Sequence, residues 1–132
     1  MISSVVPAVV HATWKCPVVP GMKKRKSGHI IFLGSEAGLS AGQKGTIYCA
    51  SKFALRGFAL SLAEECRSSL VAVTLISPGM IRTPFFNDLS FCPGDNDHNA
   101  LSTADICAAV NQALMPSSHG WTPEIVLQPF VK

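Results

Sequence analysis

His29-Ile30-Ile31-Phe32-Leu33-Gly34-Ser35 and Val71-Ala72-Val73-Thr74-Leu75-Ile76-Ser77-Pro78-Gly79 are two short apolar runs, each closed by small or turn-forming residues. The first is unbroken by charge and suits a strand of a parallel sheet that is covered on both faces. The second is rich in β-branched side chains and reads as a strand over residues 71–76, ended by a sharp turn at Pro78-Gly79. Between them, residues 46–67 contain no proline and many strong helix formers, so a long helix joins the two strands. Its packing residues should include Phe53, Leu60 and Ala63. Residues 35–45, rich in Gly, Ala and Ser, form the loop that feeds this helix.

Downstream, residues 82–100 hold Pro84, Pro93, Gly94 and several Asn and Asp, together with Phe85, Phe86 and Phe91. They read as one long loop, and a loop of that length in a compact domain is usually functional or mobile. Ser102 or Thr103 then caps a helix running to about Met115, with Ile106, Ala109, Val110 and Ala113 on one stripe. Glu124-Ile125-Val126-Leu127 forms a last strand. The order strand, helix, strand, helix, strand predicts right-handed parallel crossovers, hence an α/β fold with three neighbouring strands of a doubly wound sheet. Upstream, prolines at 7, 17 and 20 leave room only for a short helix over residues 9–18. The run Lys23-Lys24-Arg25-Lys26 followed by Ser27-Gly28 is expected to form a turn. The chain therefore divides at residue 27 into a short leading segment, 1–27, and the α/β unit, 28–132.

Composition narrows the function classes. Apolar residues make up 48% of the 132 residues and charged ones 14%, which argues for a buried core and against disorder. The net charge of +3 comes mostly from the single run at 23–26, which reads as a solvated turn rather than a nuclear-import signal and implies no nucleic-acid partner. Cys16, Cys49, Cys66, Cys92 and Cys107 stand far apart with no C-x-x-C pair, so they are expected to be reduced thiols in a cytoplasmic protein. The four histidines are equally scattered, and no metal site is expected. Residues 1–10 are apolar but lack a positive leading segment and are interrupted by Pro7, so neither a signal peptide nor a membrane span is expected.

One constellation carries chemistry. Tyr48 and Lys52 stand four apart near the start of the long helix, so they share a face. A free phenol holds its proton too tightly for exchange near neutrality, and a neighbouring ammonium stabilises the phenolate, which makes Tyr48 a candidate general acid/base tuned by Lys52. Ser35 lies at the carboxyl end of the preceding strand, the edge at which open α/β sheets bind ligands, and its hydroxyl is placed to hold a carbonyl oxygen. The ordinary reading of the same residues is a half-buried helical tyrosine beside a solvated lysine.

Tyr48-Cys49-Ala50-Ser51-Lys52 with Ser35 thirteen positions earlier, and Pro78-Gly79-Met80-Ile81-Arg82-Thr83-Pro84 after the second strand, together resemble the short-chain dehydrogenase/reductases over residues 28–131. Met22-Lys23-Lys24-Arg25 before Gly28, and Leu101-Ser102-Thr103-Ala104-Asp105-Ile106 opening the last helix, are similar to the branch acting on small 3-hydroxy acids and related alcohols. The resemblance implies the carboxyl-terminal half of a Rossmann-like sheet and an NAD- or NADP-dependent oxidoreductase. Ser35, Tyr48 and Lys52 would be catalytic, and Tyr48 and Lys52 would also contact the nicotinamide ribose. Pro78, Gly79, Ile81 and Thr83 would line the coenzyme, the Ile81 backbone and Thr83 holding its carboxamide. Residues 85–98 would cover a small alcohol, ketone or hydroxy acid.

The family's glycine-rich phosphate turn, its Asn-Ala-Gly segment and its coenzyme-selecting residue do not occur in this sequence, and residues 1 to about 11 resemble nothing in the family pattern. The isolated chain is therefore expected to bind coenzyme weakly or not at all and to be inactive alone, as a truncated enzyme or one completed by another chain. The alternative is a non-catalytic remnant that serves as an interaction module. The edge of the first strand favours self-association or a homo-oligomer. Gly57 and its small neighbours suit either a helix–helix contact between copies or close packing on the sheet.

Overall fold

The computed structural model describes residues 17–42, 45–115, 117 and 119–131. Three strands, β1 (Gly28–Leu33), β2 (Val71–Pro78) and β3 (Glu124–Leu127), form a parallel sheet in the order β1-β2-β3. Helix α1 (Val18–Arg25) precedes β1, α2 (Thr46–Arg67) joins β1 to β2, and α3 (Thr103–Leu114) lies between β2 and β3. The register pairs Gly28 with Val71 and Leu33 with Ile76 on one side of β2, and Leu75 with Glu124 and Pro78 with Leu127 on the other. As the central strand, β2 is buried along nearly its whole length, which is why it reads as a continuous apolar run.

The end of the first ladder has a chemical cause. The Gly34 N–H donates to the Ile76 carbonyl at 2.7 Å. In a parallel ladder the next donor on β2 is the nitrogen of Pro78, which has no hydrogen to give. Pairing stops there, at the point where Ser35 leaves the sheet. On the opposite edge the Gly79 N–H still donates to the Leu127 carbonyl at 2.8 Å, so the chain is released from β1 while it is held by β3.

Leu62, Ala63 and Cys66 of α2 pack with Val71 and Val73 of β2 and with Val19 of α1, and Phe32 meets Phe58 edge-on at 5.6 Å. Burial pushes the Cys66 thiol up from its ordinary range. Two polar links cross the fold. Arg56 of α2 makes a two-pronged ion pair with Glu124 of β3 at 2.8 and 2.9 Å, and the Trp121 indole N–H donates to the Val73 carbonyl at 2.8 Å. The Ser102 hydroxyl accepts from the Asp105 N–H, while the Asp105 carboxylate accepts from Ser102 and is held below the usual carboxylate range by that bond.

The structure departs from the sequence reading in three places. The basic run is not a turn: Lys23, Lys24 and Arg25 form the last turn of α1, where cations suit the carboxyl end of a helix, and Lys26 closes it in the left-handed conformation. Pro20 does not prevent this, because it sits in the first turn, where the missing N–H has no intrahelical partner. Lys23 is also drawn into order by its ion pair with Glu65 of α2, at 2.5 Å. Phe53 is 44% exposed, so the buried stripe of α2 runs instead through Ala59, Leu62, Ala63 and Cys66. A Cβ on Gly57 meets nothing within 4 Å, so close packing on the sheet does not explain that glycine. The helix expected over residues 9–18 lies almost wholly outside the described residues.

Candidate active site

The carboxyl ends of β1 and β2 deliver two segments to the same edge. Ser35 follows β1 in extended conformation and caps a short 3-10 turn, Glu36–Gly38, its hydroxyl oxygen accepting from the Ala37 N–H at 3.2 Å. That use leaves the Ser35 hydroxyl proton free for another acceptor. The turn is seated on α2 through Gly38, which is buried. A Cβ there would stand 2.7 Å from the Lys52 carbonyl oxygen and 3.0 Å from its carbonyl carbon. Absence of a side chain at residue 38 is what lets the Ser35 loop lie against the helix turn that carries Lys52.

Tyr48 and Lys52 lie in the first two turns of α2. The Lys52 ammonium stands over the Tyr48 ring, 5.5 Å from its centroid. Tyr48 is 44% exposed, with its ring accessible to a ligand arriving at the sheet edge, while Lys52 is half-buried. The Ser51 hydroxyl donates to the Tyr48 carbonyl at 2.7 Å, a local bond that ties down this turn.

Pro78 ends β2, and Gly79 follows it in a confined place: a Cβ would lie 2.8 Å from Pro129 Cδ and 3.5 Å from the Glu36 carboxylate. Ile81 then pairs with Leu101 in an isolated parallel bridge, in which the Leu101 N–H donates to the Met80 carbonyl and the Arg82 N–H to the Leu101 carbonyl, both at 2.8 Å. Because those bonds use the groups of residues 80 and 82, the N–H and C=O of Ile81 face away from the bridge. The Thr83 hydroxyl donates to the Ile81 carbonyl over a long 3.4 Å.

Beyond Thr83 the chain makes 3-10 turns at Pro84–Phe86 and Asp97–Asn99, so residues 85–98 are not featureless loop. Arg82 pins the loop, its guanidinium donating to the carbonyls of Gly94 at 3.0 Å and Asn96 at 3.2 Å. Sequence reasoning missed these anchors and the role of Gly38. The Gly-rich character of residues 34–45 was the visible signal for the latter. Among the described residues no group of His, Cys, Asp and Glu is arranged to hold a metal, and no helix is long and apolar enough to cross a membrane.

A parallel sheet with flanking helices is an arrangement shared with known proteins. A sequence model of the short chain dehydrogenase family matches residues 1–91, which takes in the first eleven residues, for which the sequence reading found no counterpart. An uncharacterised oxidoreductase of Staphylococcus saprophyticus is 37% identical over 115 residues, 85% of this chain and 46% of its own length. Human retinol dehydrogenase 8 is 33% identical over 120 residues, 86% of this chain and 38% of its own. The closed form of serine dehydrogenase complexed with NADP+ superposes with a TM-score of 0.69 at 30% identity, covering 91% of this chain and 50% of that one. This chain belongs to the short chain dehydrogenase family, and its fold is Rossmann-like α/β. It spans about half the length of the relatives it matches, or less.

Proposed function

We propose that this chain supplies the catalytic edge of an NAD(P)-dependent oxidoreductase that interconverts a carbonyl compound and its alcohol. The observation that carries this reading is the Lys52 ammonium over the Tyr48 ring, at the sheet edge where Ser35 leaves β1. The nicotinamide coenzyme supplies the hydride when bound, or accepts it in the oxidative direction. In reduction, the Ser35 hydroxyl donates a hydrogen bond to the substrate carbonyl oxygen and orients it. As that oxygen gains negative charge, the Tyr48 hydroxyl gives it a proton and becomes a phenolate, stabilised by the Lys52 ammonium. The phenolate then recovers a proton from solvent, and oxidation runs through the same groups in reverse.

The residues present fit the nicotinamide end of the coenzyme. A carboxamide needs both a donor and an acceptor, and Ile81 offers an N–H and a C=O turned away from its bridge, with the Thr83 hydroxyl beside them. Pro78 and Gly79 place that segment at the end of β2, and Tyr48 and Lys52 would reach the ribose. The sequence contains no glycine-rich turn for the phosphates, so on this reading a coenzyme-binding half would hold the rest of the coenzyme. The outer side of β1, with which no strand pairs among the described residues, supports the second reading, an interaction module without catalysis.

Co-expression with a coenzyme-binding half and an assay of NADPH and NADH oxidation against a panel of ketones separates the two. Turnover above background that Tyr48→Phe lowers by about a thousandfold or more is the expected outcome. Activity that survives Tyr48→Phe refutes the mechanism, and a stable complex that never turns over favours the interaction module.

A further inference from the structure

The loop that follows Thr83 carries information about the substrate that the relatives do not. Their names point to retinol in one case and serine in another, one apolar and one charged. Phe86 is the hub of an aromatic trio, edge-on to Phe85 at 5.2 Å and to Phe91 at 5.8 Å. Phe85 and Phe91 are nevertheless 61% and 54% exposed, and Leu89 between them is exposed as well. Large apolar side chains clustered in this way, and left facing water, mark a binding surface.

The loop is tied at both ends to the carboxyl edge of the sheet. It is led into by the Pro78-Gly79 turn, where Gly79 abuts both Pro129 and the Glu36 side chain next to Ser35. It ends at His98, whose carbonyl accepts from the Val131 N–H at 3.1 Å and whose ring meets the exposed Phe130 edge-on at 6.1 Å. Residues 129–131 therefore run from one end of the loop to the other, and add a further ring to its apolar character.

Charge then selects among apolar ligands. The chain as a whole carries +3, but residues 82–100 hold one arginine against three aspartates. Asp88, Asp95 and Asp97 are all exposed, while Arg82 is engaged with two backbone carbonyls of the loop itself. A carboxylate approaching over the loop meets like charge and no uncommitted cation from the loop itself.

We infer that residues 83–98 make this site selective for a neutral substrate with an apolar, preferably aromatic, body, and that they reject small hydroxy acids. The inference rests on the oxidoreductase reading for its meaning, but its test needs no turnover. Saturation-transfer NMR on the full chain compares 2-acetonaphthone, a neutral aryl ketone, with 3-hydroxybutyrate. The ketone should show saturation transfer, the hydroxy acid none, and Phe85→Ser with Phe91→Ser should weaken the ketone about tenfold. Asp88→Lys with Asp95→Lys should make saturation transfer to 3-hydroxybutyrate appear, a gain that misfolding does not produce.

Preferential binding of 3-hydroxybutyrate by the unaltered chain, or ketone binding indifferent to the phenylalanine changes, overturns the inference. So does a dimer that those changes dissolve with no effect on the ketone, since the patch then belongs to a second copy. Binding of the ketone that follows these rules, in a completed protein that never reduces it, sinks the oxidoreductase reading and leaves the loop's selectivity standing.

Discussion

Gly38 shows how a single residue sets the geometry of the candidate site. It is the point at which the Ser35 loop touches α2, and the nearest atoms to its absent Cβ are the carbonyl atoms of Lys52. Backbone atoms inside a helix do not yield as the tip of a flexible side chain does, so a methyl group at residue 38 must push the loop outward. Gly38→Ala is therefore expected to destabilise the chain by about 1–3 kcal/mol, read as a lowered denaturation midpoint at unchanged slope. In a completed enzyme the same change should lower turnover with a smaller effect on coenzyme binding, because Ser35 moves while Tyr48 and Lys52 keep their places on α2. An unchanged midpoint shows that the loop is not seated as described. Gly57 is the control at this scale, since its Cβ position is open and Gly57→Ala should be neutral or slightly stabilising.

At the scale of elements, local pattern predicted what local forces decide. Helix α2 runs over Thr46–Arg67 as its composition implied, β3 occupies Glu124–Leu127, and Ser102 caps α3. The first two strands were read within two residues of their ends, because unbroken apolar runs have few alternatives in a covered parallel sheet. Helix α1 was not legible, since its proline and its cations favour a helix only when their positions within it are known. The candidate triad was legible as spacing, but the seat of the Ser35 loop and the anchoring of Arg82 were not. Long-range polar pairs were invisible for the same reason: Arg56 and Glu124 lie 68 positions apart, and nothing near either residue announces the other. The link from β1 through β2 to the segment before β3 is another example, and it carries a pH dependence. The Thr74 hydroxyl donates its one proton to the Thr122 carbonyl at 2.6 Å, so His29 Nε2, 2.8 Å away, must be the donor to Thr74. Burial holds the His29 ring below the ordinary histidine range. As pH falls, the unfolded chain takes up this proton first, so the contribution of His29 to stability is full above the ordinary histidine value and is lost as pH falls through the lower folded value. Melting temperatures of the unaltered chain and of His29→Gln, followed from about pH 7.5 to about pH 5, should therefore converge towards acid. Parallel curves show that His29 titrates alike in both states.

For the whole molecule, the decisive feature is which side of the sheet remains open. In β1 the groups of Ile30, Phe32 and Gly34 face β2, because the Gly34 N–H donates to Ile76 and alternate residues share a side. The backbone N–H and C=O of His29, Ile31 and Leu33 consequently point outward, and among the described residues no strand pairs with them. Leu33 is exposed on this edge, and no proline or bulge interrupts Gly28–Leu33 to blunt it. Such an edge accepts another strand, so the isolated chain should self-associate. Its apparent mass in light scattering is expected to rise with concentration. Ile31→Pro distinguishes edge pairing from any other contact. The nitrogen of residue 31 faces away from β2, so its loss removes no bond of the observed ladder, and proline is tolerated on the open side of an edge strand. An incoming strand, however, loses a donor at the middle of its register and meets the ring. The variant is expected to keep the far-ultraviolet circular dichroism of the unaltered chain while remaining monomeric, and to lose partnership with a co-expressed coenzyme-binding half. Association that persists undiminished in Ile31→Pro with the fold intact shows that copies meet through another surface, and leaves the β1 edge without that role.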